Sequence, residues 1–146
     1  MNFEQLKNLW DEDSKMDSQA LDTEALRIPR LHSKWYNILI DCKIEFKKQE
    51  LLFAKEKLQA KNYYSGDYNP EDKRFKTLGH HSRKLKSEDM NDFVSADKDM
   101  QNVQLKLFLA KEKIEFILNI LKQLNDRGFQ IANAIKWRKF MSGIND

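Results

Sequence analysis

Apolar residues recur at helical spacing along most of the chain, and two long segments carry the clearest pattern. Met100, Val103, Leu107, Ala110, Ile114, Ile117, Leu121 and Leu124 follow alternating steps of three and four. A second stripe, Leu105, Phe108, Leu109, Phe116 and Ile120, lies beside the first. Two apolar faces on one helix predict packing both within the subunit and against other subunits. Ser95 is the expected cap of this helix, with Asp97 and Asp99 in its first turns complementing the positive end of the dipole. Gly128 is its expected end, a left-handed cap followed by Phe129. A last helix is expected from Phe129 to about Met141, with Ile131, Ile135, Trp137, Phe140 and Met141 apolar and Lys136, Arg138 and Lys139 basic.

The other long helix is expected from Leu31 to about Asn62, a stretch with no internal proline or glycine. Trp35, Leu39, Cys42, Phe46 and Phe53 form a seam that Gln49 interrupts, and a polar seam position can fix register. Ile38, Ile44, Leu51 and Leu52 lie off the seam, which gives the helix more apolar surface than one neighbour covers. Ahead of it, Asn2 caps a short helix through Trp10 with Phe3, Leu6 and Trp10 on one face. Residues 11–18 read as a polar linker. "QALDTEAL" reads as a short helical piece that Pro29 ends, or after which Pro29 opens the next element. Two readings of this arm stand: Phe3, Leu6, Leu9 and Trp10 dock on a partner protein, or they pack permanently on the chain's own core.

Between the long helices the pattern breaks. "SGDYNPEDK" is turn-rich. "RFKTLGHHSRKLK" has Phe75, Leu78 and Leu85 as its only apolar anchors and reads as an extended loop or a short hairpin around Gly79. Four regions follow: an acidic N-terminal helical arm (1–30), a long helix ending in a basic and aromatic motif (31–66), a basic linker (67–94) and a C-terminal helical oligomerisation region (95–146). The expected fold class is mainly α, a long-helix bundle or hairpin whose linker forms at most a two-stranded hairpin. The surplus apolar faces predict assembly into a closed homo-oligomer.

Composition sharpens this picture. Of 146 residues, 34% are charged and 40% hydrophobic, with four glycines and two prolines, as expected of helices with long solvated faces. Residues 1–26 carry seven acids and two bases, a net −5, so the overall +3 leaves +8 on the remainder. A basic body suits a polyanion, although charge of this size also serves solubility alone. The single cysteine, Cys42, excludes an intrachain disulfide framework and falls on an apolar stripe, as a small core residue would. No apolar run reaches the roughly 18 residues of a membrane span. The N-terminus lacks the basic and apolar regions of a signal peptide, so a cytosolic protein is expected.

Catalytic chemistry finds little support, and no enzyme, cofactor or metal site is expected. His80 and His81 are adjacent and point apart, His32 is the only other histidine, and one cysteine gives no zinc spacing. The four glycines, at 66, 79, 128 and 143, form no phosphate-cradling loop, which argues against an ATPase. Binding remains. "KEKLQAKNYYSG" joins Lys55, Lys57 and Lys61 to Tyr63 and Tyr64. The linker adds Lys73, Arg74, Lys76, Arg83, Lys84 and Lys86 with no acid among them. Lysines neutralise phosphates and aromatic faces stack on unpaired bases, so the combination points to single-stranded nucleic acid. Tyr68 and Phe75 are interleaved with these bases. The alternative is a solvated helix end whose tyrosines pack on a neighbour. No helix-turn-helix, zinc finger or RNP motif supports sequence-specific readout.

"LWDEDSKMD", "ALRIPRLHSKW", "NYYSG", "SADKDM" and "DRGFQIANAIKW" occur in this order between residue 9 and about residue 137. In these segments, order and spacing the chain resembles the UvsY recombination mediator family of T-even-type bacteriophages. The resemblance implies a protein without enzymatic activity, acting in the cytoplasm of an infected bacterial host. It implies that the chain binds single-stranded DNA, contacts a phage single-strand-binding protein and loads a phage RecA-like recombinase onto the strand. It also implies a closed homo-oligomer, a ring of about six or seven subunits, with the C-terminal helices important for assembly. Leu105, Phe108, Phe116, Ile117, Leu121, Leu124, Phe129, Ile135 and Phe140 are the expected interface residues, and Phe3, Leu6 and Trp10 the expected partner-binding ones. The family prototype has two basic residues, two positions apart, just before its tyrosine pair. Leu58 and Ala60 stand there in this chain by ungapped count, flanked by Lys57 and Lys61. A general single-strand or RNA chaperone, and a helical adaptor that meets only proteins, are the competing readings.

Overall fold

The computed structural model of the chain describes residues 1–67, 70–79 and 85–143. Every regular element among them is a helix: α1 (Phe3–Asp13), α2 (Leu21–Ser65), α3 (Lys73–Leu78), α4 (Ser87–Ala96) and α5 (Lys98–Met141). The mainly α reading holds. None of these helices is long and apolar enough to cross a membrane. The chain divides into two compact units, residues 1–43 with 112–146, and residues 44–111. The long helices α2 and α5 contribute to both.

In the first unit the core gathers Leu6, Leu31, Trp35, Leu39, Ile117, Ile120, Leu121 and Leu124. α1 begins in a capping box: the Gln5 amide donates to Asn2 Oδ1 at 2.8 Å and the Asn2 amide donates to Gln5 Oε1 at 2.9 Å. Its apolar face then enters the core. Leu6 is fully buried, the Phe3 ring lies 5.3 Å from that of Phe116, and Trp10 meets Trp35 edge-on at 5.7 Å. Trp35 Nε1 and Lys34 Nζ both donate to Asp13 Oδ2, at 3.0 and 2.7 Å. Arg127 donates to the Ser14 carbonyl at 3.0 Å and lies over the Trp10 ring. The expected partner-binding role of Phe3, Leu6 and Trp10 is therefore corrected: these side chains pack on the chain's own core.

Two breaks expected in the long helices are absent. Pro29 lies inside α2, where a missing N–H costs roughly 3 kcal/mol. Leu21, Leu31, Trp35 and Leu39 are buried on both sides of it, and their packing outweighs that loss. Gly128 lies inside α5 in ordinary helical conformation, since only Gly66, Gly79 and Gly143 have positive φ. Buried Leu124 and Ile131, two turns apart, hold the helix together across it. Ile117, Leu121 and Leu124, expected at a subunit interface, are corrected to core positions of this unit. Phe116 packs partly against the same core.

The second unit has its own core of Ala60, Tyr63, Tyr64, Val94 and Met100, with Phe53, Phe75, Leu85, Met90 and Val103 packed against it. α2 ends as its sequence suggests. Gly66 takes φ of 91°, its amide donates to the Tyr63 carbonyl at 3.2 Å, and the Asp67 amide donates to that of Asn62 at 2.9 Å, a Schellman cap. Where a loop or hairpin was expected in the linker, its described residues form two helices, and residues 80–84 of the expected hairpin around Gly79 lie outside the described residues. α3 starts at Asp72, whose carboxylate accepts from the Arg74 amide at 2.8 Å, and Phe75 anchors it. α4 carries Met90 and Val94 four residues apart on its inner face. Ser95 lies inside α4, so Asp97 rather than Ser95 caps α5, its Oδ1 accepting from the Met100 amide at 3.0 Å.

Candidate nucleic-acid interface

The basic and aromatic residues picked out by sequence fall into an outer and an inner set. Lys55, Lys57, Lys61, Lys76 and Lys86 are exposed on the second unit. Lys55, Lys57 and Lys61 line the last turns of α2 before its glycine cap. Lys73 is half exposed and pairs with Glu56 at 2.6 Å and, more loosely, with Asp99 at 3.8 Å. Arg83, Lys84, Tyr68, His80 and His81 lie outside the described residues.

The inner set is a correction. Arg74, expected to contact phosphate, is 1% exposed. Its Nε and Nη2 donate to the two oxygens of Asp97, each at 3.0 Å, and Nη2 also donates to Glu56 Oε1 at 2.6 Å. A guanidinium held bidentate by one buried carboxylate and bridged to a second is buried beyond the reach of a strand. Tyr63 and Tyr64, expected to stack on bases, are 2% and 7% exposed. They pack edge-on at 5.0 Å, and Tyr64 also meets Phe93. The Tyr63 hydroxyl donates to the Gly79 carbonyl at 2.8 Å and that of Tyr64 to Asp97 Oδ2 at 2.7 Å. Burial removes the open ring faces that stacking requires, and the hydroxyl bonds fix the end of α2 on α3 and α5.

The electrostatics of this cluster are those of a structural clasp. Burial alone would lower the Arg74 pKa, but Asp97 and Glu56 outweigh it and raise it. Burial tends to raise Asp97 as well, yet bonds from Arg74, Tyr64 and the Met100 amide hold it at about 2. Glu56 is likewise held below the usual carboxylate value, its burial outweighed by Lys73 and Arg74. Burial first, and Asp97 second, push the Tyr64 phenol up. All three charges therefore stand at neutral pH. Among the described residues no cluster of His, Cys, Asp and Glu forms a metal site.

A family model described as the recombination, repair and single-stranded-DNA-binding protein UvsY matches residues 9–144. The recombination protein UvsY of Enterobacteria phage T4 is 31% identical over 146 residues, covering 98% of this chain and 99% of that protein. The chain belongs to the UvsY family. Crystal structures of the bacteriophage T4 recombination mediator protein UvsY agree in fold. In lattice type II the TM-score is 0.83 at 27% identity, over 97% of this chain and 98% of that one. In lattice type IV it is 0.84 at 26% identity, over 96% and 99%.

Two UvsY-family motifs now have physical meaning. "NYYSG" joins two buried tyrosines to a glycine-capped helix end, and "SADKDM" contains Asp97, the centre of the clasp and the cap of α5. Of the two positions set apart just before the tyrosine pair, Ala60 is fully buried and Leu58 is 62% exposed. A basic side chain at position 60 would enter the core of the second unit, whereas Lys57 and Lys61 reach solvent. Glu56 was not picked out by sequence. Its signal was its place between Phe53 and Ala60 on the apolar face of α2, where an acid calls for a buried cation.

Proposed function

We propose that the chain is a non-enzymatic recombination mediator that binds single-stranded DNA and loads a RecA-like recombinase onto strands covered by single-strand-binding protein. The observation that carries this reading is the UvsY-family match over nearly the full chain, together with exposed lysines on a unit held by a buried clasp. Lys55, Lys57, Lys61, Lys76 and Lys86 act on phosphates. Arg74, Tyr63 and Tyr64 hold the helix end that presents the lysines of α2. With no stacking from the tyrosine pair, affinity depends on charge and shows little sequence preference. Assembly into a closed homo-oligomer through exposed Leu105, Phe108, Phe129, Ile135 and Phe140 would repeat these lysines around one particle.

The test is strand exchange with a cognate recombinase on DNA precoated with single-strand-binding protein. Stimulation by the chain is expected. Binding to DNA without stimulation would favour a general single-strand chaperone, and no DNA binding at all would favour a helical adaptor.

A further inference from the structure

The motif "SADKDM" holds a second acid that the clasp does not use. Asp97 caps α5 and holds Arg74, whereas Asp99, two residues on, is half exposed and has its Oδ2 3.8 Å from Lys73 Nζ. The same ammonium lies 2.6 Å from Glu56 Oε1, the oxygen that also accepts from Arg74 Nη2. All of these residues belong to the second unit. We propose that Lys73 is a further phosphate contact for single-stranded DNA and that Asp99 is its built-in competitor, a carboxylate that holds down the affinity of the strand at this lysine.

The two carboxylates around Lys73 differ in kind. Glu56 is a fixed partner: it is buried, close and shared with the clasp, and one oxygen takes one of the three donors of an ammonium. Asp99 is a loose partner. At 3.8 Å it stands beyond hydrogen-bond reach, and a pair this exposed contributes little and is screened by salt. A phosphate arriving from solvent forms the charge-assisted bond that Asp99 does not form. The Asp99 charge beside it then opposes that bond. Lys76, exposed and three residues along α3, lies on the same side of the helix and continues the contact. The inference rests on the reading of the chain as a single-strand binder, and a contact weakened in this way suits a protein that passes its strand on. Asp99 also stands in the first turn of α5, where an acid favours the helix. That role predicts lower stability when the charge is removed and no gain in DNA binding, so the sign of the change separates the two roles.

Binding of a homopolymer oligonucleotide to the full chain is measured across a salt titration for the parent, Asp99→Asn, Lys73→Gln and the two combined. Asp89→Asn, which removes an exposed acid of α4 in the same unit, is the control for net charge. Asp99→Asn should tighten binding roughly two- to fivefold at low salt, and Asp89→Asn should not. Lys73→Gln should weaken binding and reduce the magnitude of the log–log salt slope by roughly 0.7. In the Lys73→Gln background the gain from Asp99→Asn should disappear. Unchanged or weaker binding by Asp99→Asn overturns the competitor. An equal gain from Asp89→Asn, or a gain that persists without Lys73, shows a general effect of charge and overturns the pairing. Unchanged affinity and slope in Lys73→Gln overturn the phosphate contact. Circular dichroism follows helix content in each variant, and if Lys73→Gln unfolds, the comparison of Asp99→Asn with Asp89→Asn decides alone. A parent chain that binds no oligonucleotide overturns the single-strand reading and this inference with it. A parent that binds, with any of the contrary results above, overturns this inference only.

Discussion

Arg74 shows how little a residue's charge says about its task. It sits in a run of bases, yet its guanidinium is enclosed by Glu56 and Asp97. Arg74→Ala leaves two carboxylates in the interior without their buried cation, and breaking such a pair costs about 3–5 kcal/mol. Denaturant unfolding should show that loss. The same clasp sets a pH dependence. Asp97 and Glu56 have folded pKa values below their ordinary ones, so their contribution is fully present above about pH 5. It is lost as pH falls toward the folded value of Asp97, about 2. Asp97→Asn keeps the cap on α5 but removes the charge. Stability measured between pH 7 and pH 2 should therefore fall less steeply in the variant than in the parent.

At the scale of elements, burial overrides local punctuation. α5 continues through Gly128, which is exposed, and a Cβ built there meets nothing within 4 Å. Gly128→Ala should raise stability by roughly 0.5–1 kcal/mol, because alanine removes backbone freedom from the unfolded chain. Thermal unfolding would detect it. Leu6→Ala tests the arm in the opposite direction. As a core position it should cost about 2–5 kcal/mol, where a free docking arm would cost nothing. The two long helices were legible because their stripes run for many turns. The break after α2 was legible in the turn-rich "SGDYNPEDK", whereas the glycine cap was expected at Gly128, and the chain uses it at Gly66. The helices α3 and α4 were hidden by a charge run and by their length: α3 has a single ring anchor, Phe75, and α4 has Met90 and Val94 with the Phe93 ring against Tyr64. Nothing in the sequence states which of several adjacent bases, such as Lys73 and Arg74, turns inward. That choice depends on where Glu56 and Asp97 lie in three dimensions.

For the whole molecule, the apolar residues of α5 separate into two classes that sequence periodicity merged. Leu121 lies in the core of the first unit, whereas Phe129 and Phe140 are 76% and 68% exposed. Leu121→Asp should unfold that unit, whereas Phe129→Asp with Phe140→Asp should leave helix content unchanged and reduce particle mass in sedimentation. An unchanged mass would remove these two rings from the proposed assembly surface.

The central claim is that exposed lysines near the end of α2 bind phosphate while the adjacent tyrosines and Arg74 only support them. A salt titration of binding to a homopolymer oligonucleotide tests it most directly, with Lys57→Ala and Lys61→Ala combined in one variant and compared with the parent. Removing one lysine–phosphate pair should reduce the magnitude of the log–log salt slope by roughly 0.7, so the double variant should reduce it by roughly 1.4 and weaken binding without changing particle mass. A variant that keeps the parent's affinity and slope across the titration would contradict the account.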